Sequence, residues 1–541
     1  MRGIIMPRVT LNGLSTLGKI GARLCPILTA RAPWTKAKTL EKMAEAKNLG
    51  ELSWFRNDCG ASMTKLRDAI LSHENMSEAA LAALGIKRIT FVHINDIHAS
   101  YQEDLPGECP LSRAAQFIED VRAENPEAIF AHGGDAYEKG SVAELLSKGK
   151  ATREVFAAMG FDVAVIGNHD FAWSIAEVLA YLKTAGTKML ASNVEYVGEN
   201  PSEYDGLEFT TLNVGGVRLG FFGMVSKGYS ELDEITDKDY YPGILRTRHD
   251  YLQRAREIVD ANRDSVDVMV MLSHIGLEAD KKVAKEVAGI DVVLSGHSHD
   301  SLLKEVVDED GTIIGQTDAY AKGIIRLDLF YDMNEGQVVG HKYELTSLSP
   351  FFYASNEKAA RTIAAIRDKY APEAEVPFAQ VSESLDKPAI ARVAAEAARH
   401  HLEADVALVD IKTVWEEWEP GTLTQQSLAD TYKVEREHAG TPGFNSFYTV
   451  ELTGNDLERM INNAKEPERW VISGPSEIDP AKVYRLAVQK KPGFHIGRYF
   501  TDNIGTSAPE PACEMWEAVY EYGVYRNLQN LYLDADLTLA A

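Results

Sequence analysis

The chain has 541 residues, 45% of them hydrophobic and 25% charged, with a formal net charge of −25. This exceeds the length one hydrophobic core ordinarily fills, and the acidic balance excludes a nucleic-acid groove or an anionic membrane surface as the main partner. Four scattered cysteines (Cys25, Cys59, Cys109 and Cys513) form no CxxC pair and so no zinc-finger or dense disulfide framework, and no run reaches the ~18–20 apolar residues needed to span a bilayer.

The first forty residues carry Arg2, Arg8, Lys19, Arg23, Arg31, Lys36 and Lys38, with no acid before Glu41. Such a start is similar to an organellar transit peptide or to a plain basic extension. It makes a poor secretory signal, because Lys19 and Arg23 interrupt any apolar stretch. A cytoplasmic or organellar location is therefore favoured. Amphipathic helices are expected at Leu40–Lys47, Ser62–Ser72 and Ser77–Leu84, leading into a first strand.

From Lys87 to about Thr346 apolar strands alternate with helical stretches at Ser112–Glu124, Val142–Met159, Ile175–Ala185 and Thr247–Ala261. This alternation predicts an α/β layered architecture. Thr312–Tyr331 reads as paired strands closing the sheet, and Ser355–Lys369 as a charged helix before a Pro-bearing linker at 371–377. A second, smaller α/β region follows, with helices at Ile390–Leu402, Gln425–Lys433 and Asn455–Ala464 and strands at Val406–Val409 and Phe447–Leu452. The expected divisions are an N-terminal extension with helices (1–86), a catalytic domain (87–350), a linker helix (351–376) and a C-terminal domain (377–541).

Five short motifs punctuate the first α/β region: Asp96-Ile97-His98, Gly133-Gly134-Asp135, Gly167-Asn168-His169-Asp170, Ser273-His274 and Gly296-His297-Ser298-His299. Almost every one follows an apolar run, as ligands delivered at the C-terminal ends of buried strands would. Singly, each is more often an ordinary loop; the ordered set carries the signal. Two divalent ions need a shared anionic bridge, and Asp135 behind two glycines is the natural one. Asp96 and His98, with His299, suit one ion; Asn168, His274 and His297 suit the other. Oxygen and imidazole donors without thiolate favour Mn, Zn, Fe, Co or Ni. His169 follows a ligand directly and is expected to face substrate as a catalytic acid. His93 and His132 fall inside the strands and read as buried structural residues; His400, His401 and His438 read as surface.

These residues resemble the calcineurin-like metallophosphoesterase superfamily and, within it, the 5′-nucleotidase family that includes bacterial UDP-sugar hydrolases. The likeness covers roughly residues 88–332. It implies a four-layered α/β/β/α sandwich followed by a smaller α/β substrate domain, and a metal-dependent phosphoester hydrolase in which a metal-bridging hydroxide attacks phosphorus. It assigns Asp96, His98, Asp135 and His299 to one ion and Asp135, Asn168, His274 and His297 to the other, with His169 as the catalytic histidine. A small phosphorylated substrate is implied, and by family resemblance a periplasmic location.

Two departures from the family stand out. Its usual Asp three residues after the catalytic histidine, which forms a dyad with it, is Ala172 here. The Asn-Gly-Gly-Gly-x-Arg nucleotide loop reads Asp410-Ile411-Lys412-Thr413-Val414-Trp415, and the base-stacking loop is unrecognisable around Ser473-Gly474-Pro475-Ser476. The expected substrate is therefore not a standard nucleoside monophosphate. Lys412, Lys433 and Arg436 are candidate anion contacts, and Trp415 with Trp418 a candidate aromatic platform. Competing readings are hydrolysis of a sulfur ester, as in thiosulfohydrolases on the same scaffold, and a binding or scaffold protein that keeps a metal site. Nothing in the sequence sets the oligomeric state.

Overall fold

The computed structural model describes residues 78–138, 140–226, 241–432, 446–464, 466–489 and 510–534. The helices expected at Leu40–Lys47 and Ser62–Ser72, together with Lys433, Arg436 and His438, lie outside the described residues.

Among the described residues, fourteen strands precede the linker: β1 (Ile86–Ile94), β2 (Ile129–His132), β3 (Val163–Val165), β4 (Lys188–Leu190), β5 (Val194–Tyr196), β6 (Thr210–Val214), β7 (Val217–Val225), β8 (Leu245–Thr247), β9 (Val268–His274), β10 (Val292–Leu294), β11 (Val306–Val307), β12 (Ile313–Gly315), β13 (Gly323–Asp332) and β14 (Gln337–Ser347). One six-stranded sheet runs β14-β13-β1-β2-β3-β4, the other β11-β12-β10-β9-β7-β6, while β5 and β8 pair as a separate ribbon. β1 through β4 are parallel, as are β7, β9, β10 and β12.

Because side chains alternate across a strand, each sheet has two apolar faces. Ile89 and Phe91 of β1 face Phe221, Val270 and Leu272 of the second sheet in one core between the sheets. Val92 and Ile94 point the other way, into a core shared with Phe117, Val121 and Phe156 of the outer helices. On the far side, Phe222, Met269 and Met271 pack against Ile258 and Val283 of the helices Tyr251–Asn262 and Leu277–Glu286. These three cores separate four layers, helix, sheet, sheet and helix.

Two expectations need correction. Val142–Met159 is not one helix but two, Val142–Ser147 and Lys150–Met159, because Lys148 and Gly149 both take left-handed backbone (φ 52° and 88°) that no α-helix continues. The strands within Thr312–Tyr331 do not pair with each other. β12 pairs with β10 and β11 in the second sheet, whereas β13 crosses over to lie antiparallel to β1 in the first.

Beyond the helix Glu357–Tyr370 come β15 (Ala379–Val381), β16 (Val406–Asp410), β17 (Gly421–Leu423), β18 (Phe447–Thr453), β19 (Trp470–Ser473), β20 (Val483–Gln489) and β21 (Glu510–Cys513). A five-stranded sheet has the order β19-β16-β20-β18-β21, and β15 pairs with β17. The helices Lys387–Leu402 and Met515–Leu528 cover it, and their buried side chains join the same apolar cluster as the outer helices of the first sheet. Among the described residues, no helix is long and apolar enough to cross a membrane.

Candidate metal centre

Four motifs follow β1, β2, β3 and β10, and Ser273-His274 ends β9, so parallel strands of both sheets deliver them to one shared C-terminal edge. The β1 and β2 loops extend their pairing beyond the strands: Asp96 N–H donates to Gly134 O, His98 N–H to Asp135 O and Ala99 N–H to Ala136 O. Asp96, His98, Asp135, His297 and His299 all hold positive φ, between 45° and 78°. Non-glycine residues avoid that region, and clustered strain of this kind is found where packing and function impose it.

Each carboxylate presents a single oxygen to the centre. Asp96 Oδ2 accepts from Asn95 Nδ2 at 2.7 Å and His297 N–H at 2.9 Å, while Oδ1 is buried with no hydrogen-bond donor. Asp135 Oδ1 accepts the His169 N–H at 2.8 Å, and Oδ2 faces His274 Nε2 at 3.0 Å and His98 Nε2 at 3.9 Å. The imidazoles are oriented from behind. His98 Nδ1 contacts Tyr137 O at 3.1 Å and His274 Nδ1 contacts Gly133 O at 2.6 Å, so each Nδ1–H donates to a carbonyl and each Nε2 turns inward.

The inward atoms form two adjacent groups. In one, His98 Nε2 lies 3.1 Å from His299 Nε2, and His299 Nε2 lies 3.2 Å from Asp96 Oδ1. In the other, Asn168 Oδ1 lies 3.0 Å from His274 Nε2 and 2.9 Å from His297 Nδ1, beside Asp135. The sets Asp96–His98–His299 and Asp135–His274–His297 each bring their donor atoms within 4.8 Å of one another. The structure thus brings the seven side chains together, and His98, Asp135 and His169 form a third set within the same distance.

The electrostatics call for cations. Asp96 and Asp135 are fully buried, and their ion partners among the described residues are all histidines. Burial alone would lower the His274 pKa, but Asp135 and Asp96 push it up to about 10, so a proton is held where positive charge is needed. Burial would raise the Asp96 carboxyl, yet His274, His299 and His98 hold it well below the usual range. Burial instead lowers His93 to about 4 and His132 to about 3, which keeps both neutral, as structural histidines in strands should be. The oxygen and nitrogen donors, the orphaned Asp96 Oδ1 and the concentrated negative charge all fit divalent ions.

His169 lies at the edge of both groups, beside His98 and Asp135. Its Nε2 lies 3.8 Å from Asp135 Oδ2, and its ring centroid 4.7 Å from that of His98. Its other nitrogen, Nδ1, lies 2.6 Å from the buried carboxylate of Glu138. Sequence reasoning passed over Glu138, three residues after Asp135 and outside every motif. Asp170 is no dyad acid. Its carboxylate accepts backbone N–H groups from Asp135, Ala136, Tyr137 and Gly167, stapling the β2 and β3 loops together. Tyr320 was also missed: its ring lies 5.3 Å from His98 and 5.8 Å from His299.

Among the described residues, the second-domain candidates Lys412, Trp415 and Trp418 do not join this cluster. Lys412 Nζ pairs with Glu466 at 3.0 Å on the surface, and Trp415 is partly exposed. Trp418 is buried, donating to Thr431 Oγ1 at 2.7 Å, which is ordinary packing. The β16 end, where the family's glycine loop would lie, is closed by Arg469 gripping Asp410 with both Nε and a terminal nitrogen.

Comparison with known proteins agrees with this geometry. Residues 89–301 match the family model described as calcineurin-like phosphoesterase. An apyrase from Tabanus yao is 24% identical over 284 residues, covering 46% of this chain and 49% of that protein. A snake venom 5′-nucleotidase from Gloydius brevicauda is 27% identical over 234 residues, covering 41% and 39%. The chain therefore spans about half the length, or less, of the curated relatives it matches. The crystal structure of a 5′-nucleotidase precursor from Thermus thermophilus superposes with a TM-score of 0.59 at 17% identity, over 81% of this chain and 96% of that one, and so shares the fold. Residues 89–301 thus form a calcineurin-like phosphoesterase domain, and over that part the chain is similar to apyrases and 5′-nucleotidases.

Proposed function

We propose that the protein is a dinuclear metal-dependent phosphoester hydrolase whose substrate is not a standard nucleoside monophosphate. The observation that carries this reading is the convergence of seven oriented donors into two groups that meet at Asp135. Asp96, His98, Asp135 and His299 would hold one ion, and Asp135, Asn168, His274 and His297 the other. Bound there, two divalent ions supply positive charge to the phosphoryl oxygens and lower the pKa of the attacking water.

The chain's own groups then orient the ester. Asn168 Nδ2, buried and with no acceptor, is placed to donate to a phosphoryl oxygen. His169 Nε2 faces the same centre and gives a proton to the leaving oxygen as the phosphorus–oxygen bond breaks. The restriction on substrate rests on the second domain, where Lys412 is engaged by Glu466 and the β16 end is locked by Arg469.

The test is hydrolysis of p-nitrophenyl phosphate, bis-p-nitrophenyl phosphate, AMP, a UDP-sugar and a 2′,3′-cyclic nucleotide by manganese-loaded and metal-stripped protein. Metal-dependent turnover of the generic esters, with AMP slower by at least ~10-fold, about 1.4 kcal/mol of barrier, is expected. Efficient AMP cleavage would refute the substrate restriction. No metal-dependent turnover of any ester would refute the enzyme reading.

A further inference from the structure

We infer that Glu138 is the positioning acid for His169, supplied from the β2 loop in place of the side chain missing at Ala172. This rests on the hydrolase reading above for its catalytic consequence, but the contact itself does not depend on it. A catalytic imidazole needs its far nitrogen held, since an unrestrained ring samples several rotamers and either tautomer. Three residues after His169, on the same short turn, Ala172 offers only a methyl group. The gap is filled from the loop after β2, where the Glu138 carboxylate, 2% exposed, meets His169 Nδ1 at 2.6 Å.

Glu138 is built into that place. Its backbone takes φ 69°, turning the side chain off the course that Asp135 begins. Its N–H donates to Glu144 Oε1 at 2.7 Å. Glu144 is fully buried and also accepts from Trp173 Nε1 at 2.8 Å and Thr152 Oγ1 at 2.6 Å. One carboxyl group therefore fixes both the backbone of Glu138 and the indole next to Ala172. On the far side the turn is pinned by the Gly140 N–H to His98 O at 2.7 Å. A Cβ on Gly140 would come within 2.5 Å of Ala99 O, so the turn admits no side chain there. A carboxylate held this way meets the His169 ring from one side and fixes which imidazole nitrogen faces the centre.

In the hydrolysis step, water oxygen forms the new bond to phosphorus and releases a proton, the ester phosphorus–oxygen bond breaks, and the leaving oxygen takes the proton from His169 Nε2, which the water-derived proton then replaces. An ester with a poor alkoxide leaving group needs that proton more than p-nitrophenolate does. A misoriented His169 therefore costs turnover selectively.

The experiment compares wild type, Glu138→Gln, Glu138→Asp and Glu138→Gln/Ala172→Asp, each checked for melting temperature and bound manganese. For the best alkyl ester of the panel, Glu138→Gln should lower kcat by ~10–100-fold with KM changed less than ~3-fold. On p-nitrophenyl phosphate the loss should stay below ~5-fold. Returning a carboxylate at position 172 should recover much of the alkyl-ester rate. Equal losses on both esters, with no recovery in the double variant, would overturn the inference. A second readout is independent of turnover: the downfield Nδ1 proton resonance, assigned by its loss in His169→Asn, should vanish in Glu138→Gln. Its persistence there would refute the contact. An enzyme silent on every ester, with this resonance still lost in the variant, would remove the hydrolase reading and leave the positioning contact standing.

Discussion

Asp96 and Asp135 each spend one carboxylate oxygen on backbone or amide donors and turn the other inward. Such a residue is legible from sequence by its chemical type, but which oxygen it offers depends on N–H groups from remote loops. Glu138 illustrates the limit more sharply. Its role depends on a left-handed turn and on the acid Glu144 behind it, neither of which has a short sequence signature. Burial pushes the Glu144 carboxyl up to about 8, against its ordinary 4.5, despite donors from Thr152, Trp173 and Glu138 N–H. A raised folded-state pKa favours the protonated form, so the stability linked to Glu144 is fully present below about pH 4.5 and is lost as pH rises toward 8. Its amide isostere Glu144→Gln keeps the acceptor for Trp173 and Glu138 and removes the ionisation. Thermal melts of the variant should therefore be flatter than wild type across that window, with a difference on the order of a few kcal/mol by pH 8. Parallel profiles would show that Glu144 does not titrate there.

At the scale of elements, the strands that carry ligands were the most legible part of the chain, because each is a short apolar run ending in Gly, Asn, His or Asp. Less legible was where one element stops. The helix break at Lys148-Gly149 hides inside a continuous helical pattern, and nothing local distinguishes β12 from β13 as members of different sheets. The loops bring a further constraint, close approach. A Cβ at Gly167 would lie 2.1 Å from Asp135 Oδ1 and 2.3 Å from Asp135 N, both part of the stapled loop pair. Gly167→Ala should therefore displace Asp135 while leaving the strands intact. The expected outcome is ~10-fold or greater loss of manganese affinity by calorimetry, with an unchanged far-ultraviolet spectrum. Wild-type affinity in this variant would mean that the loops yield without moving Asp135.

For the whole molecule, two facing sheets explain why side chains as far apart in sequence as Asp96 and His299 meet: both sheets end their parallel strands at one edge. The layered α/β class was legible from the alternation of strand and helix patterns, whereas the crossing of β13 between sheets was not. The second domain is joined to this edge from one side. Gln426 of the helix Gln425–Thr431 accepts the Val142 N–H at 2.9 Å, just beyond the turn that holds Glu138. Its sheet was foreseen from apolar strands, but the Asp410–Arg469 grip at the end of β16 was not, because Arg469 lies on a different strand's approach. The central claim is that Asp135 bridges two cation sites. It is tested most directly by counting the manganese bound per chain in wild type and Asp135→Asn after equilibrium dialysis. The expected result is two ions in wild type and weakened binding at both sites in the variant. A single ion in wild type, or full occupancy of both sites without the Asp135 carboxylate, would contradict it.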